Sequence, residues 1–146
     1  VTASLDLDGS LFDRDDDGDG RARPLVFTTT DADDDRARAV ATRAELRRFG
    51  TRQVDVGAAL ASLADDGVGL VVCEGGPTLN GALVAAGLVD EVCLSLSPIV
   101  VGGDSKRLVA GIPELDDLDG SDYELVSLLV EDGMLLGRWL RTAALA

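Results

Sequence analysis

The segment CEGGPTLNGALVAAG, residues 73–87, limits the folds open to this chain more than any other stretch. The run before it, GLVVCE at 69–74, is continuous, β-branched and too short for a helix, which predicts a short buried strand. After it, Leu79, Leu83 and Val84 recur at helical spacing, with Ala82, Ala85 and Ala86 as good helix formers between and after them. Pro77 stands at the first helical position, where its missing N–H would be unpaired anyway, and Gly87 can end the helix by taking positive φ. The stretch therefore predicts strand, tight glycine turn, helix. Such a turn aims bare amide hydrogens and the positive end of a helix dipole at one place, a geometry suited to phosphate. Gly75 and Gly76 would let a ligand come close to the backbone. The same pair can equally serve only to turn the chain, because GG-P is less specific than the nucleotide fingerprints G-x-x-x-x-G-K-[ST] and G-x-G-x-x-G.

The remaining chain extends the pattern. VTASLDL at 1–7 and LVFTT at 25–29 read as strands, and Thr30 or Asp31 can cap a helix running to about Thr42. Residues 45–49 form a short edge strand, and Asp55 caps a helix whose Val56, Ala59, Leu60 and Leu63 share a face before Gly67. Residues 91–101 begin as a strand of period two, and 123–130 with 134–140 form a hairpin about Asp132-Gly133. The order β-α-β-α-β-α-β plus hairpin predicts an α/β three-layer domain, mostly parallel, with an antiparallel edge. In such sheets ligands sit beyond the carboxyl ends of strands, where Glu74-Gly75-Gly76 falls. DRDDDGDG at 13–20 copies the start of a calcium loop, but Pro24 stands where that loop needs a bidentate Glu, so it is read as a solvated loop.

With 146 residues the chain is one ordinary domain. Its 27 acidic against 13 basic residues leave a net charge of −14, which argues against a nucleic-acid partner. No apolar run approaches membrane-spanning length and the first residues lack a basic, export-type start, so a cytoplasmic protein is expected. Histidine is absent, which removes Ser-His-Asp and Cys-His triads and histidine-based zinc sites. Chemistry must then come from carboxylates, backbone dipoles or a bound cofactor. Cys73 and Cys93 both fall in predicted buried strands and are read as small core residues rather than a disulfide or a metal pair.

EGGPTLNGALVAAGLVDEVCLSLSPIVVGGDSKRL, residues 74–108, resembles the reductase domain of the riboflavin pathway. That domain is the C-terminal half of the bifunctional deaminase–reductase, and the closer likeness is to stand-alone pyrimidine reductase-like proteins of actinobacterial type. The resemblance implies a dihydrofolate-reductase-like fold, NADPH as hydride donor, and reduction of a ribosylaminouracil phosphate to its ribitylamino product. By position, Gly75, Gly76, Pro77, Thr78 and Leu79 would hold the cofactor phosphates. Ser4 would contact the cofactor, with Thr28 or Thr29 near its ribose or 2′-phosphate, and Glu74 would face the substrate. Hydride transfer needs no protein nucleophile, so the absence of histidine is no obstacle; the source of the proton is not assigned. An acidic surface is awkward for a polyanionic cofactor, and Arg21, Arg23, Arg52 or Arg107 could supply local positive charge. The family's domain carries further strand–helix units ahead of the matched region, so residues 1–146 are expected to be a single reductase-like domain lacking that part. A homodimer is expected from the family and agrees with the surplus of apolar residues at 92–97 and in the hairpin. Two other readings remain: a non-catalytic nucleotide- or phosphate-binding module, and an inactive remnant.

Overall fold

A computed structural model describes residues 1–7, 23–104, 107–111 and 123–142. The aspartate-rich stretch 13–20, Arg21, Lys106 and the acidic connection at 113–122 lie outside the described residues. The chain divides into two compact units, Val1–Val71 and Val72–Ala146.

In the first unit, strand β1 (Leu25–Thr28) leads to helix α1 (Asp34–Ala41), strand β2 (Glu45–Arg48) and helix α2 (Val56–Asp65). The two strands pair in parallel, from Leu25 opposite Glu45 to Thr28 opposite Arg48. Leu5, Val26, Ala32, Ala37, Val40 and Ala44 form the buried core, with Leu7 and Leu46 packed against it. Strand β2 carries two arginines because both are tied to its flanks. Arg47 bridges Glu45 and Asp66 at 2.7 Å each, and Arg48 reaches Asp34 at 2.8 Å and the Thr30 carbonyl at 3.0 Å.

Both helices of this unit are closed by aspartate. The Asp33 carboxylate accepts the Arg36 amide hydrogen bond at 2.8 Å, and the Asp55 carboxylate accepts that of Ala58 at 2.9 Å. The cap expected at Thr30 or Asp31 thus moves to Asp33. Thr30 is committed elsewhere: its amide and its hydroxyl both donate to the Gly50 carbonyl, at 2.8 and 3.1 Å. The strand expected at 1–7 is also not formed. The Thr2 and Ser4 hydroxyls accept from the amides of Leu5 and Asp6, and Leu5 takes φ +54°, so local bonds bend the backbone out of the extended state. One bond, Thr2 N–H to the Phe27 carbonyl at 3.0 Å, still lays this segment beside β1.

In the second unit, helix α3 (Pro77–Ala85) precedes strands β3 (Glu91–Leu96), β4 (Tyr123–Glu131) and β5 (Met134–Arg141). The strands form an antiparallel sheet in the order β3-β5-β4. Asp132 and Gly133 have φ of +48° and +77°, the paired positive values that a two-residue hairpin turn requires. The far end of α3 is anchored to this sheet: the Tyr123 hydroxyl donates to Val89 O at 2.9 Å, Arg141 N–H to Asp90 O at 2.8 Å, and the Arg141 guanidinium to Gly87 O. The fold is therefore mixed α/β rather than mostly parallel: among the described residues the parallel pairing is β1 with β2, and β3 to β5 are antiparallel.

The strand expected at 69–74 is not formed either; the segment is irregular and has no strand partner among the described residues. Leu70 and Val72 are 81% and 75% exposed. A strand takes its burial from the ladders on either side, and without them β-branched propensity alone does not create one. Cys73 and Cys93 are accordingly exposed free thiols, not core residues.

The turn that follows β2 depends on Gly50. Its φ is +74°, and a Cβ there would lie 2.2 Å from the Gln53 carbonyl oxygen and 2.9 Å from the Asp55 amide nitrogen. Left-handed strain and a clash with backbone add, so Gly50→Ala is expected to destabilise the first unit by about 2–3 kcal/mol. Urea unfolding followed by far-ultraviolet circular dichroism measures this, and a loss under about 1 kcal/mol would show that the turn relaxes.

Candidate functional site

The amino end of α3 differs from those of α1 and α2. Its N-cap is Gly76, in extended conformation at φ −72° and ψ 171°, and no side chain caps it. Pro77 fills the first helical position. The Asn80 amide bonds back to the Gly76 carbonyl at 3.1 Å, so the amides of Thr78 and Leu79 come before the first helical bond. No acidic residue stands in this first turn, whereas α1 opens with Asp34 and Asp35. The helix dipole here is left uncompensated by its own side chains.

The two glycines have different reasons to be glycine. A Cβ on Gly75 would meet Leu79 Cδ2 at 2.7 Å and Cys73 Sγ at 3.3 Å, so a side chain there would have to displace the end of Leu79. A Cβ on Gly76 would meet nothing within 4 Å. Space therefore opens beside the uncapped turn, on the side where a ligand could reach the backbone. Glu74 is exposed and next to this corner, on the irregular segment rather than at a strand end. Pro77 and Leu79 are half-buried and Thr78 is exposed.

Asn80, one turn into α3, matters through partners that lie outside its local sequence pattern. Its Nδ2 donates to the Leu108 carbonyl at 3.0 Å, and its Oδ1 accepts from the Cys73 thiol at 3.6 Å. The Ala110 amide donates to the Pro77 carbonyl at 3.0 Å, and Gly111 lies against the Thr78 methyl group. Residues 107–111 thus run alongside the first turn of α3. The signal in the sequence was a lone amide side chain among small and apolar helix residues beside a glycine turn.

Ser4, Thr28 and Thr29 belong to the first unit. The Ser4 hydroxyl is bonded locally to Thr2 and to the Asp6 amide, and its carbonyl accepts from Arg36 at 3.1 Å. Thr28 is fully enclosed, and its hydroxyl has no partner among the described residues; Thr29 is buried beside it. Of the arginines considered as local cations, Arg23 is used at the end of α1, donating to the Ala41 and Ala44 carbonyls at 3.0 and 3.4 Å. Arg52 and Arg107 are exposed.

A second polar cluster, not anticipated from the sequence, joins β3 to β5. Arg138 donates to both carboxylate oxygens of Glu91, at 2.6 and 2.7 Å, and the Cys93 thiol donates to the same carboxylate at 3.2 Å. The Arg138 guanidinium, aided by the Cys93 hydrogen bond, holds the Glu91 carboxyl down at about 2, and the Glu91 carboxylate pushes the Cys93 thiol up. Cross-strand pairing of Cys93 with Arg138 places these groups together. The cluster reads as a brace between strands.

Comparison with known proteins supplies the context for the α3 corner. The family model described as RibD C-terminal domain matches residues 3–128. The 2,5-diamino-6-ribosylamino-4(3H)-pyrimidinone 5′-phosphate reductase of Methanothermobacter thermautotrophicus is 44% identical over 78 residues, covering 51% of this chain and 36% of that protein. The reductase of the same name from Archaeoglobus fulgidus is 38% identical over 77 residues, covering 52% of this chain and 35% of its own length. A solved structure of a pyrimidine reductase-like protein from Corynebacterium diphtheriae superposes with a TM-score of 0.77 at 23% identity, covering 96% of this chain and 58% of that one. The fold is thus the mixed α/β fold of the dihydrofolate-reductase-like reductases, with its C-terminal antiparallel hairpin. The chain spans about a third of the length of the curated relatives it matches.

The Glu91 brace has a defined pH signature. Its carboxyl is lowered from 4.5 to about 2 in the folded protein, so its contribution to stability is present above the unfolded value and is lost as pH falls from 4.5 through about 2. Glu91→Gln is expected to flatten acid unfolding over that interval, read from the fluorescence of Trp139, the single tryptophan. The same substitution removes the carboxylate that keeps the Cys93 thiol protonated, and alkylation of Cys93 mapped by peptide mass should become faster at neutral pH. Equal alkylation rates would show that the brace does not control the thiol.

Proposed function

This chain belongs to the RibD C-terminal domain family, and from that premise we propose that it is the NADPH-dependent reductase portion of a riboflavin-pathway protein, acting on a ribosylaminopyrimidine phosphate such as ribosylaminouracil phosphate. The observation that carries this reading is the uncapped first turn of α3, with bare amides, no acidic neighbour in the turn, and open space at Gly76. These features fit a diphosphate, which accepts hydrogen bonds from backbone amides and is favoured by the positive helix end. The amides of Thr78 and Leu79 would hold it, Gly76 would let it approach, and Gly75 with Pro77 would keep the turn in shape. Bound NADPH would supply the hydride. Glu74, exposed beside the turn, would accept a hydrogen bond from a sugar hydroxyl or ring N–H of the pyrimidine and so orient it.

The working form is proposed as a cytoplasmic homodimer. Leu125, Val126, Leu128, Leu129 and Val130 of β4 are all exposed, and this apolar strand supports pairing with a second copy. A second reading, a nucleotide-binding module without turnover, draws on the first unit. There the Ser4 hydroxyl is bonded locally and the Thr28 hydroxyl is enclosed, so neither is offered to a ligand.

Two measurements separate these readings. A thermal shift with NADPH but not NADH is expected in both, while loss of NADPH absorbance in the presence of the pyrimidine phosphate is expected only of the reductase. Gly76→Leu tests the site itself. The glycine has ordinary φ and nothing within 4 Å of a Cβ, so the variant should fold with unchanged melting temperature. Its affinity for NADPH should fall by about tenfold or more, the equivalent of roughly 1.4 kcal/mol. Unchanged affinity in a folded Gly76→Leu protein would overturn the assignment of this corner.

A further inference from the structure

A diphosphate at the α3 corner would sit beside the Glu74 carboxylate in a chain of net charge −14, so it needs a cation close by. The second unit has four basic residues, Lys106, Arg107, Arg138 and Arg141, of which Lys106 lies outside the described residues. Arg138 is held on Glu91 by two hydrogen bonds, and Arg141 is held on the Gly87 carbonyl. Arg107 is exposed, with neither an ion pair nor a hydrogen bond of its side chain to any described residue.

The backbone around Arg107 is fixed by two bonds to α3. The Leu108 carbonyl accepts from Asn80 Nδ2 at 3.0 Å, and the Ala110 amide donates to the Pro77 carbonyl at 3.0 Å. Arg107 is the residue next to the first of these anchors, about 3.8 Å along the chain. The Asn80 amide can make this contact in one orientation only. Its Nδ2 faces the Leu108 carbonyl, which can only accept, so a flip would set oxygen against oxygen there. Helical side chains lean toward the amino end, so Asn80 draws the 107–111 segment toward the uncapped turn.

We propose that Arg107 is a phosphate-contacting residue of the α3 corner and that Asn80 is the positioning residue that brings it there. The inference rests on the reading of that corner as a phosphate site. The chemistry recognised is a phosphate oxygen, which belongs either to the cofactor's diphosphate or to the 5′-phosphate of the pyrimidine. A guanidinium fork suits either, and it supplies the charge that the helix end alone lacks.

The test uses the whole protein and titrates NADPH calorimetrically, with KM for the pyrimidine phosphate measured in parallel. Arg107→Ala should weaken one of these by about tenfold, with a flatter dependence on salt, and Arg107→Lys should recover part of the loss. Loss confined to NADPH affinity assigns the contact to the diphosphate, and loss confined to KM assigns it to the 5′-phosphate. Asn80→Ala should weaken the same ligand less, and the double variant should be no worse than Arg107→Ala alone, because Asn80 acts through Arg107. Additive losses would overturn the positioning role. If Arg107→Ala leaves both constants unchanged while Gly76→Leu abolishes NADPH binding, the Arg107 contact is wrong and the reductase reading stands. If the unsubstituted protein takes up no NADPH, both fall.

Discussion

Every helix has to find partners for its first amide hydrogens, and in this chain that requirement organises what surrounds each helix. Asp33 and Asp55 meet it for α1 and α2 with a side-chain carboxylate three residues from the bonded amide. Helix α3 begins Gly76-Pro77, a pair that can supply neither a capping oxygen nor an extra side-chain contact. The two closed helices lie in the unit with the apolar core of Leu5, Val26 and Val40. The open one lies in the unit where the far helix end is fastened at Gly87, Val89 and Asp90. An uncapped end is tolerable when the helix is held from its other terminus, and bonds from Tyr123 and Arg141 do that.

What could be read from the sequence follows the range of the interactions involved. Helix α2 with its Asp55 cap, helix α3 with Pro77 first and Gly87 after it, and the hairpin at Asp132-Gly133 are all encoded by chemistry within a few residues, and all form as expected. The state of segment 69–74 is not legible locally, because a strand's state is conferred by neighbours in space and β-branched residues do not name those neighbours. Residues 1–7 depart from the extended pattern for the opposite reason. Very local bonds from the Thr2 and Ser4 hydroxyls outcompete extension there. The start of α1 was misplaced because Thr30 makes a long-range bond to Gly50 that no local pattern announces.

The candidate site divides along the same line. Gly75 and Gly76 were legible as a pair, yet their separate roles, one set by the Leu79 side chain and one by open space, required coordinates. Asn80 was not legible at all, because its importance comes from Leu108, far along the chain, and from Cys73, which the sequence had placed in a core. The Glu91–Arg138–Cys93 brace was hidden for the same reason, since register between β3 and β5 decides which side chains meet.

Charge gives the last constraint. With an excess of acids, several arginines among the described residues are already committed: Arg47 and Arg48 to carboxylates, Arg23 and Arg141 to carbonyls at helix ends, Arg138 to Glu91. Exposed pairs of this kind add little stability, but they remove cations from the pool that could attract a polyanion. A phosphate ligand approaching such a surface meets long-range repulsion, screened within about 8 Å at physiological salt. Recognition then has to be short-range, through backbone amides and whatever cation the fold holds next to them. An uncapped helix end is the form of positive potential least readily neutralised by neighbouring carboxylates, because it belongs to the backbone and stays where the helix puts it. For a chain this acidic, that is the physical reason a phosphate site would be built on α3 and not on a patch of basic side chains.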